Sequence, residues 1–252
     1  MATTQHYLWA AGHFVLLISS LRYFLAWMLF RSVSSWWYKV SFMGALVSYA
    51  IVCQKSLGTP QPNPAWVKRA IVDENMQYFL LAFFWWYSRP IAIALLPYTI
   101  FSLFHALTFT RTTLMPQLLP QGPPATAGGP PTPHPLAKKL QVWVKTNYDT
   151  AMKAVAFTEL LIMARVLVGA LTWQVSLISP FVYAQFLRQR YYQSNFTRSA
   201  VANVNERVLA YVNREGVPPA FGQVWAGFSQ VLSRWVGNVL VPQGAGAGAR
   251  RQ

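Results

Sequence analysis

The sequence predicts an all-α integral membrane protein. It has about four transmembrane helices, one shallow or re-entrant helix and a C-terminal amphipathic interfacial helix. Three observations lead there. Charged residues make up 11% of the 252 and hydrophobic ones 54%, whereas soluble domains carry about 25% charged residues. Apolar runs that can cross a ~30 Å hydrocarbon core, which takes about 20 helical residues, recur along the chain. The segment 218–242, PPAFGQVWAGFSQVLSRWVGNVLVP, instead mixes apolar and polar positions at the helical period.

Tyr7 to Phe30 is long enough for the first span, with Arg22 near its far end, where the side chain can snorkel to the interface. Trp36 to Cys53 forms the second, with Lys39 at its edge. The apolar stretch from Met76 to Phe109 is too long for one crossing. Arg89-Pro90 divides it, because proline removes a backbone donor and disfavours helix in the residue before it. The expectation is a shallow or re-entrant helix over 76–88 and a third span over 91–109, closing a first membrane region at 1–115. Residues 116–137, rich in proline and glycine, read as a disordered loop. The region 138–178 holds the fourth span, Ala154 to Gln174. A basic cytosolic tail over 179–243 and a loose end over 244–252 complete the chain.

Lysine and arginine number 21 against 6 acidic residues, a formal charge of +15. A nucleic-acid binder gathers such charge on a soluble face. Here it lies at the ends of apolar runs and in the tail, so anionic lipid is the expected counter-charge and nucleic acid is not a partner. Arg188, Arg190, Arg198 and Arg234 are the candidate lipid contacts. The positive-inside rule places the tail, the N-terminus and the loop with Lys55, Lys68 and Arg69 in the cytosol. With four spans, the loop bearing Arg111, Lys138, Lys139 and Lys145 then falls in the lumen. The sequon at Asn195 would stay unmodified in the cytosol. The lone Cys53 excludes an intrachain disulfide.

Wound at about 100° per residue, the segment 219–241 gathers Phe221, Val224, Trp225, Phe228, Val231, Leu232, Trp235, Val236 and Val239 on one face. The opposite face carries one charge, Arg234. Pro218 and Pro219 suit the start, and Pro242 with Gly244 the stop. The helix is too polar to span a bilayer and too apolar for water, so it lies in a membrane surface or against a partner. With little charge to draw on, lipid binding would depend on insertion of Trp225, Trp235 and Phe228 between loosely packed lipids, which makes it curvature-sensitive.

Chemistry is sparse. Glu159 and Arg165 lie about 9 Å apart along the fourth span, too far for a helical pair, and each would seek a partner on another helix. His13 and His105 lack the nearby carboxylates or thiols of a metal site, and no cofactor is implied. Asp73-Glu74 reads as a helix N-terminal pair. No G-x-S-x-G, H-E-x-x-H or P-loop occurs. A transporter or membrane enzyme would have to be built on Glu159, Arg165 and His105. SPFVYAQFLRQRYYQSNFTR (179–198) reads as a helix along the cytosolic face or as an extension of the fourth span.

Two stretches carry a resemblance. One holds Pro97, Phe101, Ser102, His105 and Ala106 in LLPYTIFSLFHAL. The other holds Pro180, Phe181, Tyr183, Phe186, Leu187, Arg190 and Tyr191. Together with the order of spans, they resemble the signature regions of the transmembrane protein 33 and fungal pore-membrane protein 33 family. The resemblance implies a non-enzymatic protein of the endoplasmic reticulum and nuclear envelope, linked to nuclear pore assembly and distribution. It also implies links to reticulum tubules and to reticulon-type shaping proteins. A separate reading of the basic tail and the 219–241 helix is an adaptor that binds pore components or a transport receptor. The proline-rich loop at 116–135 departs from the family pattern.

Overall fold

The computed structural model describes residues 3–32, 34–124 and 131–237. Four helices are long and apolar enough to cross a membrane: Thr4–Met28, Ser35–Leu57, Ala92–Leu118 and Pro135–Leu171. The first two are α1 and α2. α3 (Pro64–Val72) and α4 (Glu74–Tyr87) follow. The third candidate span starts with a short 3-10 turn and continues as α5 (Leu95–Phe109), a π turn (Thr110–Leu114) and α6 (Met115–Leu118). α7 (Pro135–Leu171) and α8 (Ile178–Gln193) complete the bundle, and α9 (Asn195–Val212) and α10 (Pro219–Gly237) follow in sequence. Two compact units result, residues 1–200 and 201–252.

Local chemistry sets the boundaries. Thr3 caps α1 by accepting from the His6 backbone N–H. α2 closes on Gly58 at φ 73°, a left-handed position that favours glycine. Asn63 then caps α3, with Pro64 in its first turn, and the Trp66 indole donates to the Leu57 carbonyl at 3.1 Å. α3 escaped the sequence reading, although Asn63-Pro64 is a helix-start signal. Asp73 caps α4, taking the Met76 N–H at 2.9 Å.

Arg89-Pro90 separates α4 from α5 as the sequence required. α5 does not stop at Phe109. Pro116 has no N–H for the Thr112 carbonyl, so the helix widens into the π turn just ahead of it and then resumes. α7 begins at Pro135, well before the expected 154, and its 37 residues reach about 55 Å. The expected disordered loop is thereby shortened. Its described parts include α6 and a short antiparallel pairing of Gly122–Pro124 with Pro131–Thr132, while 125–130 lie outside the described residues.

α1 and α2 pack along their length, with Gly12 against Gly44. A Cβ on Gly12 would come 2.7 Å from the Gly44 carbonyl oxygen, and one on Gly44 2.5 Å from that of Gly12. Small residues of this kind let helix backbones approach closely in membranes. Ser19 and Ser41 bond across the seam at 2.8 Å, and Ser48 donates to the Trp9 carbonyl at 2.8 Å.

The core is aromatic. Tyr38, Phe42, Tyr98, Tyr78, Phe186, Tyr183 and Trp85 form a chain of ring contacts with centroids 4.9–5.7 Å apart. α4 supplies Tyr78, Leu81, Ala82 and Trp85 to it. It is short enough for the shallow or re-entrant role expected of it, about 21 Å, but one face of it packs into the bundle while Leu80, Phe83 and Tyr87 stay exposed, and it joins the bundle's two ends. At one end Asn75 shares a cavity with His6 and Lys55. At the other, Arg89 reaches the Gln174 carbonyl at 3.4 Å, where Arg165 also bonds the Gln174 side chain at 2.8 Å.

α8 corrects both readings of 179–198. α7 ends at Leu171, a turn follows, and α8 folds back with Ser179, Tyr183, Phe186 and Arg190 buried at helical spacing. Residues up to 200 therefore belong to the bundle and not to a tail. The return of α8 ends beside α3, where Gln193 donates to the Val72 carbonyl at 2.6 Å. The end holding the chain's start also holds the close of α6, where Gln117 donates to the Tyr7 hydroxyl at 3.0 Å. That puts the segment around Arg111 beside the N-terminus, not opposite it as the four-span count required.

Candidate functional site

Glu159 is fully buried on α7, whose other buried positions are all small or apolar. A carboxylate in such a place needs donors. Tyr78 of α4 donates its hydroxyl to Glu159 Oε1 at 2.5 Å, and Arg190 of α8 brings Nε to 3.5 Å of the same oxygen. Arg190 Nη1 continues to Glu74 Oε2 at 3.1 Å, and its guanidinium lies 5.3 Å from the Tyr78 ring centre. Tyr183 donates to the Glu159 backbone carbonyl at 3.1 Å, and Tyr98 to that of Tyr78 at 3.0 Å. Helices α4, α5, α7 and α8 thus meet at one polar knot.

The knot overturns one expectation. Arg190 is 7% exposed and occupied by two carboxylates, so it is no lipid contact. Arg198 is also engaged: Nη1 donates to the Tyr191 and Tyr192 carbonyls at 3.1 and 2.7 Å, and Nη2 bonds Asn195. It serves the open carbonyls at the end of α8. Arg188 is half-buried, and only Arg234 of the four is exposed. Arg165, weighed as a companion of Glu159, bonds Gln174 instead. Tyr78, which donates to Glu159, and Glu74, which pairs with Arg190, were missed as members of the knot, because residues so distant in sequence leave no local pattern.

A second polar cluster joins α1 to α5. His13 Nδ1 and Ser102 Oγ are 2.8 Å apart, and the His13 ring stacks on His105 at 4.7 Å with Trp9 edge-on to both. Pro97 and Ala106 are buried and Phe101 half-buried along the same helix. No group of histidine, cysteine, aspartate or glutamate able to hold a metal ion occurs among the described residues.

In the second unit, α10 carries the expected amphipathic pattern as far as Gly237. Its apolar arc is divided. Trp225, Leu232 and Trp235 are half-buried, and the Trp225 indole donates to Asn205 of α9 at 3.0 Å. Phe221, Val224, Phe228 and Val231 form an adjoining stripe, each more than half exposed. Val239 and the side chain of Val236 lie outside the described residues.

Both sequence stretches singled out above converge on these clusters. Ser102 and His105 make the α1–α5 contact; Tyr183 and Arg190 make the knot, and Phe181 points outward, 76% exposed. Comparison with known proteins agrees: residues 1–237 match the family described as Transmembrane protein 33/Nucleoporin POM33. The chain belongs to that family.

Among the relatives of this TMEM33/POM33 chain, Nucleoporin POM33 of Chaetomium thermophilum is 34% identical over 89% of the chain and 83% of its own length. Tetra-spanning protein 1 of Schizosaccharomyces pombe is 32% identical over 91% of the chain and 83% of its own length. Human Transmembrane protein 33 is 26% identical over 64% of the chain and 60% of its own length. No solved structure matches the chain. A TMEM33/POM33 member with four candidate spans is a multi-pass protein of the endoplasmic reticulum and nuclear envelope membrane.

Proposed function

We propose that this protein is a non-enzymatic membrane-shaping scaffold. It contributes to nuclear pore assembly or distribution and to the organisation of reticulum tubules. The supporting observation is the open stripe of α10, in which Phe221, Val224, Phe228 and Val231 are 51–72% exposed beside a polar face charged only at Arg234. In a leaflet, each such side chain gains roughly 1.5–3 kcal/mol, and ordering the helix takes back about 1–2 kcal/mol per residue. The isolated helix therefore binds weakly, and the membrane anchor raises its local concentration.

A peptide of 217–242 should bind small liposomes more strongly than large ones, as measured by co-flotation. Phe221→Asp with Phe228→Asp should abolish the binding. Equal binding to flat and curved membrane would remove the curvature mechanism.

The same stripe has the i, i+3, i+7, i+10 spacing of a helix that lies in a protein groove. It therefore supports a second reading, an adaptor for pore components, a transport receptor or reticulon-type proteins. Photo-cross-linking from Phe228 in the full chain decides between lipid and protein adducts.

The end of the bundle that holds the N-terminus is assigned to the cytosol. Lys55 lines a cavity with His6, Lys68 and Arg69 lie on α3 against the end of α2, and Arg111 precedes Gln117, which bonds Tyr7. Lys138, Lys139 and Lys145 follow on the early turns of α7, consistent with the positive-inside rule. A Lys139→Cys, Cys53→Ser variant in sealed microsomes should react with a bulky maleimide without detergent. Protection until detergent is added would return this loop to the lumen.

A further inference from the structure

Where α1 begins, α2 ends and α4 begins, the bundle surface holds an open cavity of about 230 Å³. His6, Trp9, His13, Lys55, Asn75 and His105 line it. The cavity is independent of the α10 stripe and lies within the first compact unit. We propose that it seats a phosphate group, the headgroup of an anionic phospholipid whose acyl chains run along the α2 wall at Ile51 and Val52.

Three features of the lining support this. The polar groups are donors: an ammonium on Lys55, a carboxamide on Asn75 and imidazole N–H groups. No carboxylate lines the cavity. The acids nearby are engaged elsewhere, since Asp73 caps α4 and Glu74 pairs with Arg190.

The donors are also uncommitted. Among the described residues Lys55 forms no ion pair, and the ring nitrogens of His6 and His105 have no hydrogen-bond partner. His13 uses Nδ1 on Ser102 and leaves Nε2 open. Phosphate oxygens accept from such groups in charge-assisted bonds. The stacked planes of His13 and His105, 30° apart, cannot direct both rings at one metal ion, but they can present N–H groups along the wall of a larger anion.

Size and position select the ligand further. The volume falls below the roughly 300–1,000 Å³ of pockets that enclose a drug-sized ligand, so a headgroup fits and its tails stay outside. Ile51 and Val52, half-buried on α2, continue the cavity as an apolar path. Trp9 lies near the α1 start, where aromatic residues mark the headgroup level.

The test uses the full chain, delipidated in detergent micelles, and native mass spectrometry with three probes: dioctanoyl phosphatidic acid, dioctanoyl phosphatidylcholine and inorganic phosphate. Phosphatidic acid should be retained over phosphatidylcholine. Lys55→Gln should weaken that binding at least about tenfold, as expected for loss of one hydrogen bond to a charged group, and Lys55→Arg should restore it. Val52→Trp, which fills the cavity without removing a charge, should also abolish binding while circular dichroism and elution volume stay those of the parent. If inorganic phosphate binds as tightly as the lipid and depends equally on Lys55, the phosphate seat stands and its ligand is the soluble anion. Equal retention of the two lipids, or phosphatidic acid binding unchanged in both Lys55→Gln and Val52→Trp, overturns the proposal.

Discussion

Arg190→Met should destabilise the bundle by about 3–5 kcal/mol, the cost of leaving a buried carboxylate without its partner. Glu159 would keep only the Tyr78 hydroxyl among its side-chain contacts, and Glu74 would lose its partner in a half-exposed position. The measurement is thermal unfolding of the full chain in detergent, followed by the loss of the monodisperse peak on size exclusion. Arg190→Met with Glu159→Met should recover a large part of the loss, because a buried pair replaced by apolar residues of like volume is often neutral. Recovery will not be complete, since Tyr78 then has no acceptor and a buried unpaired hydroxyl costs about 1–3 kcal/mol. If the single and double variants unfold together near the parent temperature, the knot does not hold the helices.

The second large effect is expected at the α1–α2 seam. Gly44→Leu must push its side chain against the Gly12 carbonyl and the Leu16 backbone, whose nitrogen would lie 2.9 Å from the new Cβ. Backbone atoms cannot turn aside as a side chain can, so the two helices must separate. Overpacking typically costs 1–3 kcal/mol, and here the serine contacts along the same seam would be lost with it. Thermal unfolding should show a drop for Gly44→Leu and for Gly12→Leu, and the pair together should cost less than the sum, because both relieve one contact. Gly227→Ala on α10 serves as the control. A Cβ there meets nothing within 4 Å, and alanine gains about 1 kcal/mol of helix propensity over glycine.

The four long apolar helices were legible in the sequence, since lipid-facing length is what hydropathy reports. So was the break at Arg89-Pro90. α4 and α8 were harder to place. Their inward faces meet protein, and polar groups such as Gln77 and Arg190 are admitted wherever a partner waits. A run scored for lipid therefore undervalues them. α7 was read only from its apolar half, because KKLQVWVKTNYDTAMK carries too many polar residues for a span and still propagates the helix without a break.

Of the polar knot, the sequence showed Glu159 and the arginine of the second motif but not their pairing. The signal was present: a lone acid deep in a span requires a donor, but Arg190 was read as a lipid contact, because the positive-inside rule assigns a basic residue beyond the last span to the headgroups. Hydrophobic periodicity found α10 but could not divide its arc, because the division depends on Asn205 of α9 taking the Trp225 indole.

The inward fold of α8 changes what shortening the chain would mean. A cut after Ala200 would leave the first compact unit whole and remove only the second. A cut at Ser179, the boundary that hydropathy suggests, would strip Tyr183, Phe186 and Arg190 out of the core and leave Glu159 without its cation, held by the Tyr78 hydroxyl alone. Cells expressing the two shortened forms would lose different things. The first reports on the amphipathic helix, while the second reports on a protein that degradation removes before any role in the membrane can be observed.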